Sequence, residues 1–419
     1  MGAVTSLASG RDLQCAGRST AKPCSRWFQT PVSSVAAPWD AKLSSGTEPA
    51  VALSVQTSTR TRSPALLPVV CGTATALPPH KYGQRELAEV ARRLLPKLEL
   101  KPQVLERFFR RVGVEQRYLA LPAERYSELD GLQKRNDAWL LTALPLAETV
   151  VTEALADAGI ALEDVGALFS TTITGIAVPS LEARLMNRLP FQPSTKRVPM
   201  FGLGCLAGAA GVARAADYLR AFPEQAAVLL SVELCSLTVQ RDDASVANII
   251  SAGLFGDGAA AVVLAGAHHP CAQRASPRVI DSLSHFFANT ERAMGWDITD
   301  GGFKIVLGPE VPHIAREGLS GLVDALLEKH ELTRAEIGAW VVHPGGPAVI
   351  DATCEGLGLP AEALANTRRS LAEVGNLSSA SVLFLLNDFR KYVRPVRGTY
   401  GMMIAMGPAF SAEAVLLQW

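Results

Sequence analysis

Little in this chain leans to one side. Acidic and basic residues balance at 40 each, so the formal net charge is zero. Such a chain has no electrostatic pull toward nucleic acid, and none is expected as a partner. No apolar run is read at the ~18 to 20 residues that a bilayer span needs, so no transmembrane segment is expected and the cytoplasm is the expected location. The seven cysteines, Cys15, Cys24, Cys71, Cys205, Cys235, Cys271 and Cys354, lack the spacing of metal ligands or of a disulfide framework. No metal or redox cofactor is therefore expected. A reducing compartment would leave a nucleophilic thiol intact. What remains is a chain of 419 residues, nearly half apolar, which suits an enzyme of one or two domains with a large core.

Residues 1–65 differ from the rest. They are rich in Ser, Thr, Ala and Pro, and Asp12, Asp40 and Glu48 are their only acids. A disordered tail, a presequence and a misassigned gene start all share this composition. From Leu66 onward, short apolar strands alternate with helical patterns. Val165 to Thr171, Ala227 to Val232 and Ala260 to Leu264 read as strands covered on both faces, and Trp340 to Val342 and Met402 to Ala405 form a later set. Helices are expected over Gln84 to Leu95, Val104 to Arg111 and Ala209 to Leu219. Residues 66–267 and 278–419 read as two consecutive strand-helix halves with a link between them.

Three glycine-marked turns carry chemistry. Phe201-Gly202-Leu203-Gly204-Cys205-Leu206-Ala207-Gly208 puts a thiol between a turn and a helix start, where small neighbours admit a carbonyl. Trp340-Val341-Val342-His343-Pro344-Gly345-Gly346-Pro347 ends an apolar strand on a histidine. Val374-Gly375-Asn376-Leu377-Ser378-Ser379-Ala380-Ser381 places an asparagine before a helix. Singly, these residues also suit a buried cysteine, a strand-end histidine and an N-cap. Together they form a nucleophile, a base and a donor.

The three runs resemble the Cys-His-Asn triad of type III polyketide synthases, the chalcone-synthase-like family. A fourth match is Leu254-Phe255-Gly256-Asp257-Gly258-Ala259-Ala260, with a gatekeeper at Phe255. The resemblance runs from about Val69 to Trp419. It implies an α/β, thiolase-like fold of two similar halves packed as five layers (α-β-α-β-α), and a homodimer. It implies that Cys205 takes an acyl group from coenzyme A, held as an ion pair with His343. His343 and Asn376 then stabilise the enolate left when a malonyl unit loses carbon dioxide, and Phe255 favours that loss by disfavouring the carboxylate. Phe303 matches a second gatekeeper, although its run also reads as an ordinary strand. Arg107 and Arg111, one helical turn apart beside Arg110, match bases that meet coenzyme A phosphates, and also suit a solvated basic face. Thr174, Val178, Cys235, Thr238, Gly407 and Pro408 match cavity positions, with Val178 near the dimer partner and Cys235 as a small wall residue of an acyl tunnel.

The substrates implied are malonyl-CoA and an acyl-CoA starter. Met294-Gly295-Trp296-Asp297 and Glu233-Leu234-Cys235-Ser236 resemble microbial alkylpyrone and alkylresorcinol synthases, which points to a fatty acyl starter. Alternatives are a malonyl-only or short-starter synthase of the tetrahydroxynaphthalene or phloroglucinol type, a ketoacyl synthase III, and a non-catalytic acyl-binding protein on the same fold. Ala405-Met406-Gly407-Pro408-Ala409 keeps only the Gly-Pro of the plant enzymes' Gly-Phe-Gly-Pro-Gly loop, which argues against a plant-like cavity.

Overall fold

A computed structural model describes residues 67–95, 97, 101–273 and 276–419. The readings of residues 1–65 lie outside the described residues. Strand β1 (Val69–Ala76) is followed by a short antiparallel pair, β2 (His80–Gly83) with β3 (Gln116–Leu119), that brackets helices α1 (Gln84–Leu94) and α2 (Pro102–Arg111). Then come α3 (Gly131–Ala158), β4 (Val165–Thr171), the short α4 (Leu181–Leu185), β5 (Lys196–Met200) and α5 (Ala207–Ala221). Strand β6 (Ala226–Leu234), α6 (Val246–Leu254) and β7 (Asp257–Ala265) complete the first half. The second half has β8 (Arg278–Phe286), the antiparallel pair β9 (Met294–Thr299) and β10 (Gly302–Leu307), α7 (Val311–Glu328) and β11 (Ile337–Val342). It ends with α8 (Pro347–Leu357), α9 (Ala365–Val374), α10 (Ser379–Asp388), β12 (Tyr400–Gly407) and β13 (Ser411–Gln418). Each strand and helix expected from the sequence falls on one of these, within a residue or a few at the ends.

Nine strands share one hydrogen-bonded order, β11-β12-β13-β8-β1-β7-β6-β4-β5. The seam is thin, since β1 meets β8 only at Val69 and Arg278. On either side the plan repeats. Strands β1, β7 and β6 pair antiparallel and β6 then pairs parallel with β4. Strands β8, β13 and β12 pair antiparallel and β12 then pairs parallel with β11.

Three apolar clusters separate five layers. Helix α3 sends Ala147, Val150 and Val151 against Val228, Leu230 and Val263 of the first half. Helices α5 and α10 lie between the halves, touch strands of both, and join Val212, Ala213, Val382 and Leu383 into a central core. Helix α7 covers β8 and β13 from outside, with Leu319, Leu322 and Leu326 near Ile404 and Leu416. This α-β-α-β-α order is the one the resemblance implies. Strands β6 and β7 are buried along their whole lengths, which is why their sequences run apolar rather than alternate.

The central helices owe their closeness to small residues. Helix α5 reads AGAAGVARAADYLRA, and alanine combines high helix propensity with little bulk. A Cβ at Gly208 would collide with the Ser379 carbonyl of α10. One expectation needs correction. Helix α3 contains a stretch long and apolar enough, by length and composition, to cross a membrane. Its apolar character has another cause, because it packs across β1, β7 and β6.

Candidate active site

Cys205 lies on a one-turn 3-10 segment, Gly204–Leu206, that leads into α5. Gly204 has φ +53°, and a Cβ there would lie 2.5 Å from Pro408 Cδ. Only glycine relieves both the left-handed backbone and the close approach of the Gly407-Pro408 turn. The same packing is seen from the other side, where a Cβ at Gly407 would strike the Leu203 carbonyl and Leu206. Gly407 and Pro408 thus press on the nucleophile's own turn.

The Cys205 thiol is half-buried and hydrogen-bonds Ser378 Oγ at 3.5 Å. Close to Ser378 lies Glu233, a fully buried carboxylate on β6. Glu233 accepts bonds from the Ile173 N–H (3.1 Å), from Thr174 Oγ1 (3.0 Å) and from Ser379 Oγ. Those donors make its burial tolerable. Desolvation still outweighs them and lifts its pKa to about 6. Burial, with a smaller push from Glu233, raises the Cys205 thiol to about 12, while the Ser378 hydrogen bond works the other way.

Ser378 holds this place at a cost. It caps α10 with φ +48° and ψ −127°, a region that L-residues avoid. The turn is fixed by two bonds, Ser378 N–H to Asn376 Oδ1 at 2.8 Å and Leu377 N–H to Ser381 Oγ at 2.7 Å. With Oδ1 committed to that bond, the amide nitrogen of Asn376 is its donor end. Asn376 is also tied to the first half, since its N–H bonds Leu254 O and its carbonyl accepts from the Gly256 N–H, both at 2.9 Å. Phe255 and Asn376 therefore sit side by side as a parallel bridge.

His343 follows the last residue of β11, and its N–H bonds Ile404 O of β12 at 2.9 Å. The ring is buried, and among the described residues its Nδ1 has no hydrogen-bond partner. Desolvation lowers its pKa to about 3. Burial alone disfavours the charged form of each group, so an ion pair between Cys205 and His343 has to offset that penalty by direct contact.

Two cavities flank this centre. One, of about 220 Å³, is lined by Phe201, Trp296, Phe303, Val306, Pro408 and Ile173 among others. Its wall at Pro408 and Ile173 abuts Gly204. The other, of about 50 Å³, is apolar and lies between α1 and Phe255, with Cys235, Arg117 and Tyr126 in its wall. The two phenylalanines thus line different cavities. Gln240 Nε2 holds the Phe303 carbonyl at 3.1 Å, and the buried Arg117 holds the Phe255 carbonyl at 2.7 Å. Arg117 is matched by buried Asp257, which desolvation lifts to about 6, and desolvation lowers Arg117 to about 10.

The remaining candidates scatter. The Thr174 hydroxyl bonds Glu233 and accepts from the Leu234 N–H at 2.9 Å, so it faces the buried network. Cys235 is buried, and burial pushes its thiol well above the ordinary range. Thr238 is buried and donates to the Cys235 carbonyl at 2.7 Å. Val178 is 91% exposed on the protomer surface. Arg107, Arg110 and Arg111 are exposed on α2, whose buried Leu105 and Phe109 face inward and which packs on α6. Ser378, Glu233, Arg117 and Asp257 were given no role by the sequence reading. A glutamate inside the otherwise apolar β6 was the available signal.

Two family descriptions match the chain. "Chalcone and stilbene synthases, N-terminal domain" covers residues 54–268, and the C-terminal counterpart covers residues 278–419. A 1,3,6,8-tetrahydroxynaphthalene synthase of Streptomyces peucetius subsp. caesius is 46% identical over 350 residues, which is 84% of this chain and 93% of that protein. Among solved structures, PKS-I of the brown alga Ectocarpus siliculosus superimposes with a TM-score of 0.79 at 29% identity, covering 85% of this chain and 99% of that one. The 1,3,6,8-tetrahydroxynaphthalene synthase of Streptomyces coelicolor A3(2), a bacterial type III polyketide synthase, gives 0.78 at 30% identity, covering 84% and 99%.

Proposed function

Because this chain belongs to the chalcone and stilbene synthase family of type III polyketide synthases, we propose that malonyl-CoA both primes and extends its chain, giving an aromatic product of the tetrahydroxynaphthalene type. The observation that carries this reading is the 46% identity to a synthase of that product. Cavity size agrees with it. The pocket with Cys235 in its wall holds about 50 Å³, room for only a few waters at ~10–15 Å³ each by this measure. A long acyl chain needs more room than this pocket offers. A fatty acyl starter is the second reading, favoured by the apolar wall of that pocket, where Leu87, Val90 and Leu94 face Cys235.

In the reading proposed, His343 takes the Cys205 proton as sulfur attacks the thioester carbonyl. The carbon–sulfur bond to coenzyme A breaks, and coenzyme A leaves as the thiol. The next malonyl-CoA loses carbon dioxide, and its enolate oxygen is met by His343 and by the Asn376 amide N–H. The enolate carbon then attacks the acyl group on Cys205, the acyl–sulfur bond breaks to free the Cys205 thiolate, and the lengthened chain remains on coenzyme A. Phe255 and Phe303 supply apolar walls that disfavour the malonyl carboxylate. Cys235, Gly407 and Pro408 shape the cavities, Thr174 and Thr238 hold their walls, and Arg107 and Arg111 meet the coenzyme A phosphates. Residues 66–267 and 278–419 act as the two halves. Leu141, Val178 and Phe201 are 78%, 91% and 53% exposed, and a homodimer that covers them is part of this proposal.

The test is product formation from malonyl-CoA alone and with a ladder of acyl-CoA starters, read by mass spectrometry. One aromatic product at equal yield with and without starter, absent in Cys205→Ala, supports the reading. Pyrones or resorcinols that lengthen with the starter would replace it with the second.

A further inference from the structure

One group of exposed apolar side chains lies among cations. After α10, the chain reads Phe389-Arg390-Lys391-Tyr392-Val393-Arg394-Pro395-Val396-Arg397-Gly398. Phe389 is buried and anchors the segment. Tyr392 is 73% exposed and Val396 is 80% exposed, and each is flanked by cations. Arg394 has a left-handed backbone, φ +49°, and its Nε donates to the Lys391 carbonyl. That bond stiffens the loop and leaves the cationic face outward. Thr399 N–H closes the next turn on Val396 O at 3.0 Å.

The charge here is unbalanced. The nearby acids are committed elsewhere, Asp157 to Arg390 at 2.9 Å and Asp388 to Arg369 at 3.0 Å. Arg394, Arg397 and, across a groove, Arg278 are exposed and form no ion pair among the described residues, while half-buried Lys391 lies within reach of Asp157. The groove between Arg278 and Arg397 measures about 450 Å³ and ends on Trp419, whose indole N–H is buried without a partner.

We propose that this loop and groove form a docking surface for an anionic phospholipid membrane. Lipid phosphates fit the solvent-facing guanidinium groups. Tyr392 and Val396 enter the headgroup layer, where a tyrosine keeps its ring in apolar surroundings and its hydroxyl in water. Alternation of apolar and cationic residues along one short exposed loop fits an interface with both characters. A second copy presenting the same face would set like charges against each other.

The experiment is flotation of the full-length chain with vesicles of phosphatidylcholine alone, and with vesicles containing about one-third phosphatidylglycerol, at low and high salt. Binding is expected only to the anionic vesicles, weakening as salt rises. Each cation removed should weaken it about fivefold, so Lys391→Glu/Arg394→Glu/Arg397→Glu should abolish it. Tyr392→Ser/Val396→Ser keeps the charge and should weaken binding by about tenfold. All five positions lie on the surface outside the active centre, and unchanged malonyl-CoA turnover checks the fold of each variant. Equal binding to neutral vesicles, no binding at all, or full binding by the triple variant would overturn the proposal. An acidic protein partner would then be the better reading of the patch.

Discussion

Replacing Ser378 by glycine and by alanine separates two effects that one residue combines. Its backbone at φ +48° and ψ −127° is disfavoured for any L-residue, and such a conformation costs ~1–3 kcal/mol. Alanine keeps that cost and loses the hydroxyl. Glycine removes the cost but adds ~0.5–1 kcal/mol of backbone entropy to the unfolded chain. The glycine variant should therefore be the more stable of the two by roughly 0.5–2 kcal/mol, or about 1–3 °C in melting temperature for a chain of this size. Both variants lose the hydrogen bond that lowers the Cys205 pKa. A hydrogen bond to a charged group contributes ~1.5–3 kcal/mol, or about one to two pKa units. Alkylation of Cys205 by iodoacetamide, followed on its peptide by mass spectrometry at pH 8, should slow by about tenfold or more in both. A glycine variant that melts at or below the alanine variant refutes the strain. An alkylation rate equal to the parent's refutes the hydroxyl's hold on the thiol.

Glu233 predicts a pH effect. Burial lifts it from its ordinary 4.5 to about 6, so the folded state binds the proton more tightly than the unfolded chain. That contribution is complete below about pH 4.5 and is lost as pH rises through 6, by about 2 kcal/mol in all. Urea unfolding should show the parent losing stability relative to Glu233→Gln between pH 4.5 and 7, and a gap that widens in the parent's favour would contradict this. Gly204→Ala meets both a left-handed backbone, at ~1–2 kcal/mol, and Pro408 Cδ at 2.5 Å. Malonyl-CoA turnover should fall at least tenfold with a lowered melting temperature. Gln240→Ala leaves the Phe303 and Thr238 carbonyls without their donor, at ~1–3 kcal/mol each. A melting temperature unchanged from the parent would show that water replaces it.

The strands were legible because burial on both faces writes continuous apolar runs, as in Ala226–Leu234 and Asp257–Ala265. The three turns were legible because glycine marks them. The repeat of the two halves was not, since it resides in pairing direction, which β7 and β13 share without sharing residues. Helix α3 was missed: Pro145 interrupts it, and its apolar residues do not keep to one face. The buried acids were missed for a physical reason. Glu233 and Asp257 look like any carboxylate until the fold brings donors from distant segments, Ser379 to one and Ala120 to the other. The pKa of the thiol depends on that enclosure, and no local motif carries it.

The meeting of α5 and α10 has a mechanical meaning. Cys205 rides the start of one helix and Ser378 caps the other, and the helices come from opposite halves of the chain. The gap between sulfur and hydroxyl is therefore a gauge of how the halves are seated. Gly208 sets the zero of that gauge, because nothing larger fits under the Ser379 carbonyl. A disturbance anywhere along the long shared core that tilts one half by a fraction of an ångström is read at the thiol first. Cys205 thus sits where a change in the seating of the halves alters the hydrogen bond that lowers its pKa.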